Sequence, residues 1–301
     1  MLDPGTLMPR VIAVVGVGLI GGSFALAVRR RYPQTRILGV DPDQENLDLA
    51  LRRGVIDESV ALEGASTADL ILLAVPVRQM AGIFALLAPG LNDATIITDA
   101  GSTKQNVIAD AKAGLGMRCS QFVPAHPIAG REHSGVGAAA SELFEGKHVV
   151  ITPQEANAPA AVALVTSVWE ACGARVAEMP AASHDAVFAA VSHLPHMLAF
   201  ALVDELAARG NAKSLFSFAA SGFRDFTRIA SSSPEMWRDI ALHNREALVA
   251  EFDRYLAHAR QLRDAIDAAD GAAIEALMQR SREARDNWLA GELDQFRDEA
   301  S

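Results

Sequence analysis

Apolar residues fall in short continuous runs along the first half of the chain and at helical spacing along the second. The runs Val11–Val15, Arg36–Val40, Leu70–Ala74, Thr95–Thr98, Gln121–Val123, His148–Thr152 and Arg175–Glu178 predict strands. Amphipathic segments such as Gln44–Arg53 and Val77–Leu87 lie between them. Strands alternating with helices predict a mostly parallel sheet with helices on both faces. Past Pro180 the strand signal stops. His184 to Leu206 is apolar at helical spacing, and Pro195 inside it predicts a kink. Ser233-Pro234-Glu235 reads as an N-cap followed by Pro at the first helical position. It opens a helix expected to reach Leu262, and a last helix is expected from Gly271 to Leu289. The expected architecture is an α/β domain over 1–179 followed by an all-α domain over 180–301.

Composition narrows the function classes. With 301 residues, 50% hydrophobic and 21% charged, the chain can bury a sizeable core. A net charge of −10 argues against a general nucleic-acid binder, which needs a basic surface. Two cysteines, Cys119 and Cys172, are too few for a disulfide framework or a structural zinc site, and they suit a reducing cytoplasm. Val11 to Val28 is uncharged and reaches the minimum length for a membrane span. Glycines 16, 18, 21 and 22 interrupt it, so it reads as a strand, a glycine turn and a helix start. Neither a membrane span nor a signal peptide is expected.

The same glycines carry chemistry. Gly16, Gly18 and Gly21 form G-x-G-x-x-G after a strand and before a helix. The first glycine permits a tight turn, the second lets backbone approach a pyrophosphate, and the third lets helix and strand pack closely. The following helix N-terminus, with Leu19 and Ile20, then offers unpaired N–H groups to phosphate. Asp41 ends the second strand twenty residues past Gly21, where a carboxylate binds ribose hydroxyls and repels a 2′-phosphate. This pattern predicts a Rossmann-type domain binding NAD rather than NADP. Val75 and Pro76 follow another strand and should border the nucleotide crevice.

Polar clusters follow further strand ends: Asp99-Ala-Gly-Ser-Thr-Lys104 and Pro124-Ala-His126-Pro-Ile-Ala-Gly130. The helical half adds Ser192-His193-Leu-Pro-His196 and Thr227-Arg228-Ile-Ala, with Trp237 beyond. His193 and His196 are three apart, but no nearby carboxylate or cysteine completes a metal set. No metal is expected.

In order, GVGLIGGS, DAGSTK, PAHPIAG, SHLPH and TRIASSSPEMW resemble the prephenate dehydrogenase family, which includes arogenate and cyclohexadienyl dehydrogenases of tyrosine biosynthesis. The resemblance spans roughly residues 11 to 240. It implies an NAD-dependent oxidation of prephenate with loss of CO2, giving 4-hydroxyphenylpyruvate, with arogenate as a second candidate substrate. It implies that His126 takes the proton of the ring hydroxyl and that Ser102 orients it. It implies that Arg228 binds a substrate carboxylate and that His196 and Trp237 line the substrate pocket. It also implies a cytoplasmic homodimer formed through the helical domain. Arg131 and Glu132 follow the His126 motif and should approach the substrate side chain, one favouring a keto acid and the other an ammonium group. Two other readings stand beside this one: a two-domain NAD(P)-dependent β-hydroxyacid dehydrogenase, and a non-catalytic NAD sensor. The first needs a catalytic Lys on the long helix, where this chain offers His193 and His196 instead.

Overall fold

A computed structural model describes residues 8–130 and 135–291. Proximity along the backbone divides the chain into two compact units, one running to Leu248 and one from Val249 onward.

The first unit is built on two sheets. The larger comprises β1 (Val11–Val15), β2 (Arg36–Val40), β3 (Glu58–Ser59), β4 (Leu70–Leu73), β5 (Ile96–Asp99) and β6 (Phe122–Val123), in the order β3-β2-β1-β4-β5-β6. All its pairings are parallel. The strands are apolar on both faces because both are covered. Ile12 and Val14 of β1, with Leu70 and Leu72 of β4, pack on one side with Phe24 and Trp169. Ala13, Val15, Ile71 and Leu73 pack on the other with Met80, Phe84 and Val107. The Phe24 and Trp169 rings meet edge to face, with centroids 5.0 Å apart.

The covering helices are α1 (Leu19–Arg31), α2 (Gln44–Arg52), α3 (Met80–Leu87), α4 (Gln105–Leu115) and α5 (Pro159–Ala171). Asp43 caps α2 by accepting from the N–H groups of Glu45 and Asn46. After β6 the chain leaves the large sheet. β7 (Ala125–Pro127) pairs antiparallel with β8 (His148–Ile151), which pairs parallel with β9 (Arg175–Glu178).

Beyond β9 the chain is helical: α6 (Ala181–Phe188), α7 (Leu194–Ala207), α8 (Ala212–Ser217), α9 (Ser221–Thr227) and α10 (Pro234–His243). The expected kink at Pro195 takes a specific form. Residues Ala189–His193 make a π turn in which the Leu194 N–H reaches back five residues to the Ala189 carbonyl. The wider turn accommodates a ring that would crowd an α-helical carbonyl. The 181–207 stretch is long and apolar enough by composition to cross a membrane. Its buried His184, Asp185 and His193 nevertheless pair within the protein, as in a core helix.

The single helix expected from Pro234 to Leu262 is two helices. α10 stops at Asn244, and α11 (Arg245–Asp267) follows. Asn244 is buried, and its side-chain amide is drawn to the Asp185 carbonyl and the His193 ring. That tertiary demand breaks a segment with no local helix breaker. In the second unit, α12 (Gly271–Ala290) is capped by Asp270, which accepts from the Ala273 N–H.

Candidate active site

The glycine turn lies at the carboxyl edge of the large sheet. Gly16 has φ +92°, and a Cβ there would lie 2.5 Å from the Ala74 carbonyl oxygen. A Cβ on Gly21 would lie 2.1 Å from the Gly16 carbonyl oxygen. Both positions therefore exclude side chains for packing reasons. Gly18 differs, because a Cβ there meets nothing within 4 Å. Its backbone faces open space at the start of α1, which begins at Leu19 with no side-chain cap. This is a cradle whose N–H groups remain available to a phosphate. Leu19 and Ile20 pack partly into the core behind it.

Asp41 sits just past β2. Its Oδ2 accepts from the Val17 N–H at 2.9 Å and its Oδ1 from the Asp43 N–H at 3.0 Å. Asn46, which the motif does not flag, ties this region together. Its Nδ2 donates to the Val17 carbonyl at 2.9 Å, and its Oδ1 accepts from the Val136 N–H at 3.1 Å. Val75 and Pro76 follow β4, and the Val75 side chain borders the Gly16 turn.

Strand register links this edge to the histidine cluster. Leu73 of β4 is paired with Asp99 of β5. The Asp99 Oδ1 accepts from the Ala125 N–H at 2.9 Å. Lys104 forms a fully buried ion pair with Asp99 and donates to the Ala125 carbonyl at 2.7 Å. His126 comes next, half-buried on β7 opposite Val150. Its Nδ1 lies 2.8 Å from His184 Nε2, and His184 Nδ1 lies 2.8 Å from Asp185 Oδ1. Phe188 packs edge to face on the His126 ring at 4.9 Å between centroids. Burial, with His184, Lys104 and His193 nearby, holds the His126 imidazole well below its ordinary value of 6.5. The ring is neutral at working pH and able to accept a proton.

Ser102 lies half-buried in the turn between β5 and α4. It does not cap α4. The cap position is Lys104, and the N-terminal N–H groups of Lys104 and Gln105 are accepted by Asp185 at 2.8 and 2.9 Å. The second cluster lies on the helices. His196 stacks on Trp237 with centroids 3.6 Å apart, and its Nδ1 pairs with the Ser192 carbonyl at 2.8 Å. Arg228, exposed in the turn after α9, lies close enough to help keep His196 neutral, the larger effect being burial. His193 and Trp237 are buried, and His193 Nε2 and Trp237 Nε1 have no partner among the described residues. Arg131 and Glu132 lie outside the described residues.

Sequence spacing brings His126, His196, Trp237 and Arg228 to notice but not His184, Asp185 or Asn244. His184-Asp185 is an adjacent pair of titratable residues at the start of a mostly apolar helical run, a local sign that this end of the segment carries polar work.

Known proteins match this arrangement over most of the chain. Residues 24–178 match the nucleotide-binding domain of prephenate dehydrogenase, and residues 180–280 match its dimerization domain. The chain is 38% identical over 283 residues to a prephenate dehydrogenase of Bacillus subtilis, covering 93% of this chain and 76% of that one. It is 37% identical over 281 residues to a cyclohexadienyl dehydrogenase of Zymomonas mobilis, covering 91% and 94%. The crystal structure of a prephenate dehydrogenase from A. aeolicus, in complex with hydroxyphenyl propionate and NAD+, superposes with a TM-score of 0.86. It shares 37% identity and covers 92% of this chain and 97% of that one. A glycine cradle followed by a buried histidine cluster, in a chain that both domain models match in turn, makes this protein a member of the prephenate dehydrogenase family.

Proposed function

We propose that this protein catalyses the NAD-dependent oxidative decarboxylation of prephenate to 4-hydroxyphenylpyruvate, a step of tyrosine biosynthesis. The observation that carries the reading is His126: a half-buried, neutral imidazole on β7, tied through the neighbouring Ala125 to Asp99 at the end of β5, the strand paired with the β4 end that borders the Gly16–Gly21 cradle. The cradle fits a dinucleotide because its one unobstructed glycine, Gly18, opens at the start of α1. Gly16, Gly18, Leu19, Ile20 and Gly21 would hold the pyrophosphate, Asp41 the ribose, and Val75 and Pro76 the crevice wall. When bound there, NAD would supply the hydride acceptor for the ring carbon that bears the hydroxyl.

The chain's own residues do the rest. His126 removes the hydroxyl proton as the ring carbon is oxidised. The resulting ring ketone is conjugated with the diene, so the carboxylate on the opposite ring carbon leaves as CO2 and the ring becomes aromatic. The proton held on His126 returns to the ring oxygen as the ring aromatises, so the product leaves as the phenol 4-hydroxyphenylpyruvate, with CO2 released and the electron pair carried off as hydride. Ser102 orients the hydroxyl, and Arg228 binds a carboxylate through its planar fork. His196 and Trp237, stacked on each other, flank the ring. Arg131 and Glu132 set preference at the side chain.

Arogenate is the second reading, favoured by the 37% identity to a cyclohexadienyl dehydrogenase. We assign the dinucleotide-binding role to residues 1–179 and the substrate and dimer roles to 180–301. Exposed Val191, Phe218, Phe226 and Leu242 provide apolar surface for a homodimer. A cytoplasmic location fits the free thiols Cys119 and Cys172. NADH formation with prephenate and with arogenate tests the function. Turnover of prephenate establishes it, the ratio of the two kcat/KM values fixes the preference, and silence with both overturns it.

A further inference from the structure

We infer that His184 and Asp185 form a positioning relay that locks His126 into the tautomer with a hydrogen on Nδ1 and a bare, substrate-facing Nε2. The inference deepens the proposed reaction and rests on His126 being its base.

The assignment follows outward from Asp185. Its Oδ1 accepts from the Lys104 N–H at 2.8 Å, and its Oδ2 from the Gln105 N–H at 2.9 Å and the Gln105 side-chain amide at 3.3 Å. The two backbone N–H groups cannot reverse direction, and one points at each oxygen, so both oxygens must be acceptors. Burial opposes the charge, but hydrogen bonds from His184 and from the Gln105 and Lys104 backbone outweigh it and hold the carboxyl below the ordinary carboxylate range. The position, at the N-terminus of α4, further favours an anion. A carboxylate carries no hydrogen, so the 2.8 Å bond to His184 Nδ1 must be donated by the imidazole.

His184 is fully buried. Burial, with Lys104 alongside, keeps it neutral against the pull of Asp185 and Asp99. A neutral ring with hydrogen on Nδ1 has a bare Nε2. That nitrogen lies 2.8 Å from His126 Nδ1, so the hydrogen in this bond belongs to His126. The opposite polarity would need a doubly protonated His184, a second buried cation facing Lys104. With its Nδ1 hydrogen committed, neutral His126 has only Nε2 with which to take a proton. When it does, the new positive charge is met by the His184 lone pair and, one ring further, by the Asp185 carboxylate. No atom of His184 or Asp185 needs to touch substrate.

The groups facing His126 come from several elements. Lys104 and Asp99 lie on the β5–α4 side, His184 and Phe188 on α6, and His193 in the π turn. Among the described residues, the partner within hydrogen-bond distance of His126 Nδ1 is His184 Nε2.

The first test needs no turnover. In uniformly 15N-histidine-labelled enzyme, with the His126 signals assigned by their loss in His126→Asn, imidazole NMR should show a protonated Nδ1 and a bare Nε2. A hydrogen on Nε2 overturns the relay, whatever the enzyme's activity. Two variants then test its role. His184→Phe fills the volume but offers no acceptor, and His184→Gln keeps an amide oxygen. The expected result is a kcat loss on the order of 10²-fold or more in His184→Phe, by the scale of an ill-set tautomer. The KM for NAD should be unchanged, and at least a tenth of wild-type kcat should return in His184→Gln. Full kcat in a folded His184→Phe overturns the relay; so does a His184→Gln no better than His184→Phe. If the wild-type enzyme turns over neither prephenate nor arogenate, the reaction assignment fails while the NMR result still decides the tautomer.

Discussion

Lys104 and Asp99 grip one residue between them: the lysine donates to the carbonyl of Ala125 while the aspartate accepts from its N–H. Both side chains are fully buried, and the residue they hold immediately precedes His126. Lys104→Met should leave Asp99 as an uncompensated buried charge and destabilise the fold by about 3–5 kcal/mol. Urea denaturation measures it. A loss below about 1 kcal/mol would mean that the pair contributes little once desolvation is counted.

His126→Asn should keep NAD affinity within about twofold and lower kcat by about 10²–10⁴-fold, the range for removal of a general base. Fluorescence titration with NADH and initial rates of NADH formation separate the two effects. Near-wild-type kcat would remove His126 from the base role.

Two glycines three apart should behave oppositely. A Cβ on Gly18 meets nothing within 4 Å, so Gly18→Ala should melt like the parent yet bind NAD more weakly. A Cβ on Gly21 would fall 2.7 Å from the Val14 side chain as well as against the Gly16 carbonyl. Gly21→Ala should therefore cost about 1–3 kcal/mol of stability through overpacking. Thermal melts and calorimetric NAD titration would show the crossover.

Asp41→Ser removes a carboxylate that accepts from the Val17 and Asp43 N–H groups and is assigned to the ribose. The KM for NAD should rise about tenfold or more, the scale of a lost charged hydrogen bond, and discrimination against NADP should fall. Unchanged discrimination would take Asp41 out of cofactor choice.

Stability should fall with acid in a predictable window. Burial, only partly opposed by Asp185, pushes the His193 imidazole from 6.5 down to about 4. Between those values the unfolded chain binds a proton that the folded chain refuses. Stability therefore declines as pH drops from 6.5 toward 4, by at most about 1.4 kcal/mol per pH unit for this group. His126 and His184, also held below their ordinary values, act in the same direction. Urea midpoints across this range test the sign. His193→Gln should flatten the slope.

The large sheet was readable because its central strands are continuous apolar runs, and Val11–Val15 and Arg36–Val40 fall where the pattern puts them. β3 and β7 escaped notice for a physical reason. Each has two or three residues, and β7 contains Pro127 and takes its pairing from β8 in a separate sheet. The break at Asn244 was invisible because its cause is tertiary, a buried amide serving Asp185 and His193. The glycine cradle follows from local spacing alone. His184 does not, since it meets His126 across 58 positions of sequence and only the folded chain brings them together.

The π turn at Ala189–His193 has a geometric consequence for both clusters. An α-helix rotates about 100° per residue, so one surplus residue in a turn re-indexes every side chain that follows. His184 and Asp185 precede the turn and His196 follows it, on what would otherwise be a single helix. The bulge therefore sets the angular phase between the side that meets His126 and the side that carries the His196–Trp237 stack. A chain one residue shorter at Val191 would keep its composition and helicity yet aim the two at different compass points.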